Sequence, residues 1–288
     1  MSDPLGYLDA VILGVVEGLT EFLPVSSTGH LTVTEGLLGL PVDDPAVTAF
    51  TAIIQFGAIV ATFLYFWSDF VRLGRAWARG LPDDLARLRG QPRTAEPDPE
   101  HRFAWYVIAG SLPVGLVGFA LKDLITGPLR SLWVVAVSLI LWSAVMYVAE
   151  KRSKQRKAEQ DLTFVEVLFI GALQCLALIP GVSRSGATIS AGLLVDTTRV
   201  AATRLSFFLA IPALTGAGLF ELKDVDTAVV GWGQLAVGTV ISFVVAYASI
   251  AWLLRFVSRH PITVFIGYRI VAGLVLIGLL SAGVISAT

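Results

Sequence analysis

The sequence predicts an all-α integral membrane protein with six transmembrane helices, two re-entrant helical hairpins and an inverted-topology repeat. Three observations lead there. Hydrophobic residues make up 55% of the 288-residue chain and charged residues 15%, and the mean hydropathy of +0.76 is far above that of a soluble domain of this length. Six apolar runs are each close to the roughly 20 residues that a helix needs to cross a bilayer. Two more apolar stretches, 8–40 and 162–195, are each cut in the middle by polar residues, so that neither half is long enough to span.

In chain order, 8–40 carries the run EGLTEFLPVSSTGH at 17–30. Glu17 and Glu21 are four apart and share a helix face, where two carboxylates repel unless something neutralises them. The helix should break at Pro24, and Ser26, Ser27, Thr28, Gly29 and His30 precede the return of apolar periodicity. A first span follows at about 46–67. The cytoplasmic region at about 69–102 should hold a short amphipathic helix at 69–79 and an irregular, solvated loop from 80 to 100 rich in Pro, Asp and Arg. Contact of its arginines with lipid headgroups is the alternative. Spans at about 103–121 and 129–149 come next, then the basic run EKRSKQRKAEQD at 150–161. The second broken segment, 162–195, carries PGVSRSGAT, and spans at about 200–221, 229–254 and 262–284 complete a single polytopic membrane domain covering 1–288.

Lys and Arg set the orientation. Seven arginines lie between Arg72 and Arg102, five basic residues lie within 150–161, and Arg255 and Arg259 mark a third loop, so all three should be cytoplasmic. No Lys or Arg precedes Arg72, which suits an extracytoplasmic N-terminus, and the count of spans then puts the C-terminus outside as well. No basic region precedes the first apolar segment, so no cleaved signal peptide is expected. Two spans already separate 150–161 from 255–260, so 162–195 must enter and return on the inside. The same parity makes 8–40 a hairpin that enters from outside. Irregular backbone at membrane depth is tolerated only within protein or beside a water-filled cavity, so the two tips should meet in a lined pocket.

The hairpins also resemble each other. At an offset of 157, Gly14 aligns with Gly171, Leu19 with Leu176, Val25 with Val182, Ser26 with Ser183 and Gly29 with Gly186, while Glu17 falls on Gln174. With opposite entry faces this reads as an inverted repeat whose broken helices converge near the midplane, an arrangement that binds ions or anions.

Charges inside spans are functional hypotheses by default. Oxygen ligands from Glu17 and Glu21 suit Mg²⁺ or Ca²⁺; the alternative is that one acid is protonated or pairs with Arg184 and holds the hairpins together. Arg184, with Ser183, Ser185 and the N–H groups near Gly186, can converge on a tetrahedral oxyanion; the alternative is an arginine that bonds the carbonyls of the other hairpin. The candidate phosphate-binding set is Ser26, Thr28, Ser183, Arg184, Ser185 and Thr188, and the candidate metal ligands are Glu17 and Glu21. Ser26, Ser27 and Thr28 could be nucleophiles, ligands or helix caps. His30 could move a proton to or from a hydroxyl, or plug two helices together. Arg269, in the last span, reads slightly better as an anchor at the cytoplasmic interface than as a cavity residue. The single cysteine, Cys175, excludes an internal disulfide and reads as a small buried hydrophobe.

The runs VVEGLTEFLPVSSTGHL and PGVSRSGATIS resemble the two signature motifs of the undecaprenyl-diphosphate phosphatase family, also called the bacitracin-resistance family. The resemblance extends along nearly the whole chain, through QCLAL, SFFLAIP at 206–212 and YRI at 268–270. It implies a multi-pass enzyme of the bacterial inner membrane that hydrolyses undecaprenyl diphosphate to the monophosphate and inorganic phosphate, recycling the lipid carrier of cell-wall synthesis. By motif match, Glu17 and Glu21 take the metal-associated acidic role, Arg184 the phosphate-binding role, and Ser27 and His30 the nucleophile and acid–base roles, with Glu21 counted among the catalytic residues. A divalent cation, Mg²⁺ or Ca²⁺, is the implied cofactor. The expected partners are a polyprenyl diphosphate and membrane lipids, with no nucleic acid and with a homodimer left open. A secondary transporter or polyprenyl-lipid flippase built on the same pocket is the rival function.

Overall fold

The computed structural model describes residues 5–40, 44–90, 98–221 and 231–287. Among them are twelve α-helices: α1 (Tyr7–Thr20), α2 (Ser27–Leu37), α3 (Pro45–Tyr65), α4 (Trp67–Leu88), α5 (Pro99–Ala120), α6 (Lys122–Thr126), α7 (Leu132–Arg152), α8 (Phe164–Gln174), α9 (Arg184–Leu194), α10 (Arg199–Glu221), α11 (Trp232–Val257) and α12 (Val264–Ser281). No strand occurs among the described residues beyond one isolated bridge between Lys157 and Thr197.

Six of these helices, α3, α5, α7, α10, α11 and α12, are long and apolar enough to cross a membrane. They fall on the six predicted spans. Local chemistry starts several of them: Asp44 and Asp98 each accept a hydrogen bond from the backbone two residues on, with proline at the first helical position, and Ser131 caps α7 in the same way. The start predicted for the fifth span, at 229, lies outside the described residues, and α11 begins at Trp232.

The two broken segments give short helices. At 14 residues α1 reaches about 21 Å, and α8, at 11 residues, about 17 Å, against a hydrocarbon core about 30 Å thick. Each is followed by a turn and another short helix, α2 or α9, each of 11 residues. α1 packs along α11, and α8 packs along α5. Both contacts close to backbone distance through glycine. A Cβ on Gly14 would stand 2.6 Å from the carbonyl oxygen of Gly238, and one on Gly171 would stand 2.2 Å from that of Gly110.

The region after α3 departs from expectation. The predicted short helix at 69–79 is one helix from Trp67 to Leu88 that runs through Pro82, and much of the predicted loop is therefore helical; its residues 91–97 lie outside the described residues. Proline is tolerated there because the carbonyl it leaves unbonded belongs to exposed Ala78, where solvent can serve. Asp84 then pins the end of the helix to α5, accepting hydrogen bonds from His101 Nε2 and Trp105 Nε1, both at 2.8 Å. Partial burial pushes the Asp84 carboxyl up, but these two donors and the positive charge of nearby Arg87 together outweigh it and hold it below the usual carboxylate range.

A polar knot joins the ends of α7, α10 and α12. Buried Glu150 accepts from Arg199 and from the backbone of Ile262 at 3.3 Å, while Arg204 pairs with Glu159 at 2.9 Å and Lys157 pairs with Glu166. The basic run 150–161 is thus folded against the bundle.

Candidate functional site

The chain turns after α1 and again after the short 3₁₀ segment Cys175–Leu178, and both turns end the same way. Ser26 has φ 78° and Ser183 has φ 77°, each in a region L-residues avoid at a cost of order 1–3 kcal/mol. Each then caps the next helix: Ser26 Oγ accepts from Gly29 N at 3.4 Å, and Ser183 Oγ from Gly186 N at 3.1 Å. Such a cap is worth about 1 kcal/mol, which offsets much of the strain.

The turns are bonded to each other. Gly181 N donates to Ser26 Oγ at 3.2 Å, and Ser185 Oγ donates to the Leu23 carbonyl at 2.9 Å. Gly181, at φ 94°, has no room for a side chain, since a Cβ would lie 2.4 Å from the Val135 carbonyl. Arg269, on α12, is fully buried and donates to Pro24 O at 2.9 Å, to Gly181 O at 2.9 Å, to Val182 O at 3.2 Å and to Ser143 Oγ at 3.3 Å. It is not an interfacial anchor. It satisfies carbonyls that the two turns would otherwise leave orphaned inside the bundle.

The charges meet at this junction. Arg184 is the first residue of α9, the wrong end of a helix dipole for a cation, and Glu21 compensates. Arg184 Nη2 donates to Glu21 Oε1 at 2.9 Å and to the Glu21 carbonyl at 3.4 Å, and Nη1 donates to the Ser206 carbonyl at 3.1 Å. The guanidinium lies 5.9 Å above the Phe22 ring, and its Nε is buried without a partner. Ser27 Oγ donates to the other carboxylate oxygen, Glu21 Oε2, at 2.6 Å. One turn earlier, Glu17 is completely buried and neither of its carboxylate oxygens has a hydrogen-bond partner. A bare carboxylate in such a place is expensive, and a hard cation shared with Glu21 would satisfy it; the all-oxygen donor set fits Mg²⁺ or Ca²⁺. Among the described residues no group of three or more His, Cys, Asp and Glu converges, so further ligands would have to be hydroxyl, carbonyl, water or substrate oxygens.

The remaining predicted residues are distributed unevenly. Ser183, besides capping α9, lies 3.1 Å from Ser185 Oγ. Ser185 and Thr188 are almost fully buried, and Thr188 Oγ1 stands 2.6 Å from Ser206 Oγ and 2.9 Å from the Arg184 carbonyl. Their hydroxyls therefore bond protein groups, as does that of Ser26. Thr28 is exposed, and its carbonyl accepts from Thr32. His30 Nδ1 lies 2.7 Å from the Ser26 carbonyl, and Nε2 lies 2.5 Å from Tyr268 Oη with the two rings stacked at 5.6 Å. Tyr268, and Ser206 beneath Arg184, belong to the junction without having been singled out. Both lie in quoted stretches, YRI and SFFLAIP, but neither carries a charge that an apolar background would expose.

The family model described as bacitracin resistance protein BacA matches residues 10–275. The chain belongs to the BacA bacitracin-resistance family. The match spans both turns and every residue named at the junction. Relatives are similar along essentially their whole length. The chain is 55% identical over 278 residues to undecaprenyl-diphosphatase 1 of Streptomyces avermitilis, covering 96% of this chain and 97% of that protein. It is 55% identical over 287 residues to undecaprenyl-diphosphatase 3 of Frankia casuarinae, covering 99% and 100%, and 49% identical over 293 residues to the undecaprenyl-diphosphatase of Cutibacterium acnes, covering 98% and 100%. With six apolar spans, this member of the BacA family is a multi-pass membrane protein.

Proposed function

We propose that this chain is a membrane phosphatase that hydrolyses undecaprenyl diphosphate to undecaprenyl phosphate and inorganic phosphate at the junction of its two turns. Its place in the family and the names of its relatives give the reaction. The observation that carries the chemistry is the set Ser27–Glu21–Arg184, in which partly buried Ser27 and Arg184 close on buried Glu21 with contacts of 2.6 and 2.9 Å.

A diphosphate headgroup competes with Glu21 for Arg184. The guanidinium can exchange one carboxylate for phosphoryl oxygens, and its unused Nε supplies a further donor. Glu21, relieved of that partner, is positioned to take the Ser27 proton as the hydroxyl attacks the terminal phosphorus. Glu17 and Glu21 would hold a divalent cation, which when bound supplies charge neutralisation over the phosphoryl oxygens. The polyprenyl tail stays in lipid while the headgroup enters from the side.

The two short helix pairs read as re-entrant hairpins of an inverted repeat. Helices α1 and α8 are too short to span, the matched serines carry matched backbone angles, and the glycine contacts of α1 with α11 and of α8 with α5 correspond. The basic loops then face the cytoplasm, both termini lie outside, and the site opens to the outer side near the midplane.

Purified protein in detergent, given undecaprenyl diphosphate and Mg²⁺ or Ca²⁺, should release phosphate, and Glu21→Gln and Arg184→Ala should abolish release while leaving the unfolding transition in place. Full activity in either folded variant removes the proposed core. A flippase needs two compartments to show its activity and would release no phosphate in detergent.

A further inference from the structure

His30 has no free ring nitrogen. Nδ1 lies 2.7 Å from the Ser26 carbonyl oxygen, which can only accept, so Nδ1 carries a proton whether the ring is neutral or charged. In the neutral ring Nε2 is then the acceptor, and the Tyr268 hydroxyl 2.5 Å away is its donor. The imidazole cannot touch a substrate in this arrangement. Tyr268 can: it is half exposed, its ring stacks on His30 at an interplanar angle of 12°, and its oxygen keeps lone pairs for another partner. Ser27 and His30, three residues apart in the first turn of α2, lie on one side of that helix, and the hydroxyl is bonded to that side through His30. Among the described residues no charged side chain hydrogen-bonds His30. Arg269, the next residue on α12, is directed to the carbonyls of Pro24, Gly181 and Val182; Glu21 is held by Arg184 and Ser27; and α7 brings aliphatic Val135 against Gly29.

We propose that Tyr268 is the hydroxyl through which His30 exchanges protons with the bound diphosphate, so that the two side chains work as one acid–base unit. This rests on the phosphatase reading. When the ring enters the cycle charged, the Tyr268 O–H proton moves to the bridging oxygen as its bond to the terminal phosphorus breaks. The Nε2 proton refills the hydroxyl, and His30 is left neutral with Nδ1–H still on Ser26. When water then displaces Ser27 from the phosphoryl group, one water proton returns through Tyr268 to Nε2, and Ser27 recovers its own proton from Glu21. Every proton is restored, and the net reaction is hydrolysis.

The test compares His30→Gln, Tyr268→Phe and the double variant, as full-length protein in detergent with undecaprenyl diphosphate. Tyr268→Phe keeps the stacked ring and should fold; its kcat should fall about 100-fold, at the lower end of what general acid–base catalysis contributes, with KM unchanged. His30→Gln should lose as much, and the double variant no more than either single, since a relay is lost whole when one member is removed. Losses that multiply in the double variant, or a Tyr268→Phe rate within about threefold of the parent, overturn the proposal. Introducing 3,5-difluorotyrosine at position 268 keeps ring and hydrogen bond and alters only the acidity of the hydroxyl; kcat should change while KM does not, and an unchanged kcat also overturns it. Absence of phosphate release by the parent protein sinks the phosphatase reading and the relay together, whereas parent activity with an active Tyr268→Phe sinks the relay alone.

Discussion

The turn after α1 and the turn before α9 are built on the same frame and carry opposite chemistry. At an offset of 157 the two serines with positive φ, 78° and 77°, coincide, and so do the glycines whose N–H groups they cap. The functional positions do not. Glu17 answers to Gln174, Glu21 to Leu178, Ser27 to Arg184 and His30 to Ala187. One copy holds the acids, the hydroxyl and the imidazole, and the other holds the cation. The two turns share a frame, and the differences at these four positions explain why a charged site can exist in an apolar bundle: each turn supplies what neutralises the other. Arg184 and Glu21, at 2.9 Å, join the two turns by charge, beside the hydrogen bonds from Gly181 to Ser26 and from Ser185 to Leu23.

Arg269 is the strongest test of the shared frame, because it bonds both turns and belongs to neither. Its guanidinium reaches one carbonyl of the first turn and two of the second, and it is completely buried. Arg269→Leu removes that cation and orphans three buried carbonyls, each an unsatisfied group of about 1–3 kcal/mol, so a loss of roughly 3–5 kcal/mol is expected. Denaturant or thermal unfolding in detergent measures it. A change under about 1 kcal/mol would mean that the turns hold each other without the arginine.

The paired caps give a smaller and sharper contrast. Both Ser26→Ala and Ser183→Ala lose a cap worth about 1 kcal/mol. Ser26 also accepts from Gly181 N across the junction at 3.2 Å, so its replacement leaves a second buried N–H unpaired, whereas Ser183→Ala loses a hydroxyl contact with Ser185 that still bonds Leu23; Ser26→Ala should be the costlier by up to about 1 kcal/mol. Equal losses, read from the same unfolding curves, would show that the cross-junction bond contributes nothing.

Much of this was legible in the sequence because it rests on period and punctuation. Six apolar runs, the proline and glycine breaks, and the offset of 157 survive without knowledge of packing. Glu17, Glu21 and Arg184 stood out because charge in an apolar run is conspicuous. Arg269 was equally conspicuous and still misplaced, since hydropathy gives depth along a helix but not the face it turns inward. α4 was cut short at Gly80 because propensity outweighs an anchor not yet visible: Asp84 meets His101 and Trp105 only once α5 has packed. Tyr268 was hidden for a related reason, as its pairing with His30 spans 238 residues and nothing near it in the sequence points to that partner.

Gln174 completes the comparison with the smallest effect. Like Glu17 it is fully buried with both side-chain polar atoms unpartnered, yet it cannot carry charge and has no acid one turn later, because Leu178 stands where the first turn has Glu21. If the unsatisfied carboxylate of Glu17 marks a cation site, Gln174 stands at the matching position of the second turn without the acids that would hold an ion. Gln174→Leu then removes an amide whose desolvation nothing compensates and puts an apolar group of similar size in its place. Such an exchange is close to neutral or stabilising by about 1 kcal/mol, and the rate of phosphate release should not change by more than about twofold. Glu17→Gln gives the first turn the same side chain, and it should raise the concentration of Mg²⁺ or Ca²⁺ needed for half-maximal activity, which Gln174→Leu should leave untouched. Titrating both variants with the cation separates the readings. A shift in cation requirement with Gln174→Leu would mean that the two turns share the ion, and that the division of chemistry between them is less complete than their side chains indicate.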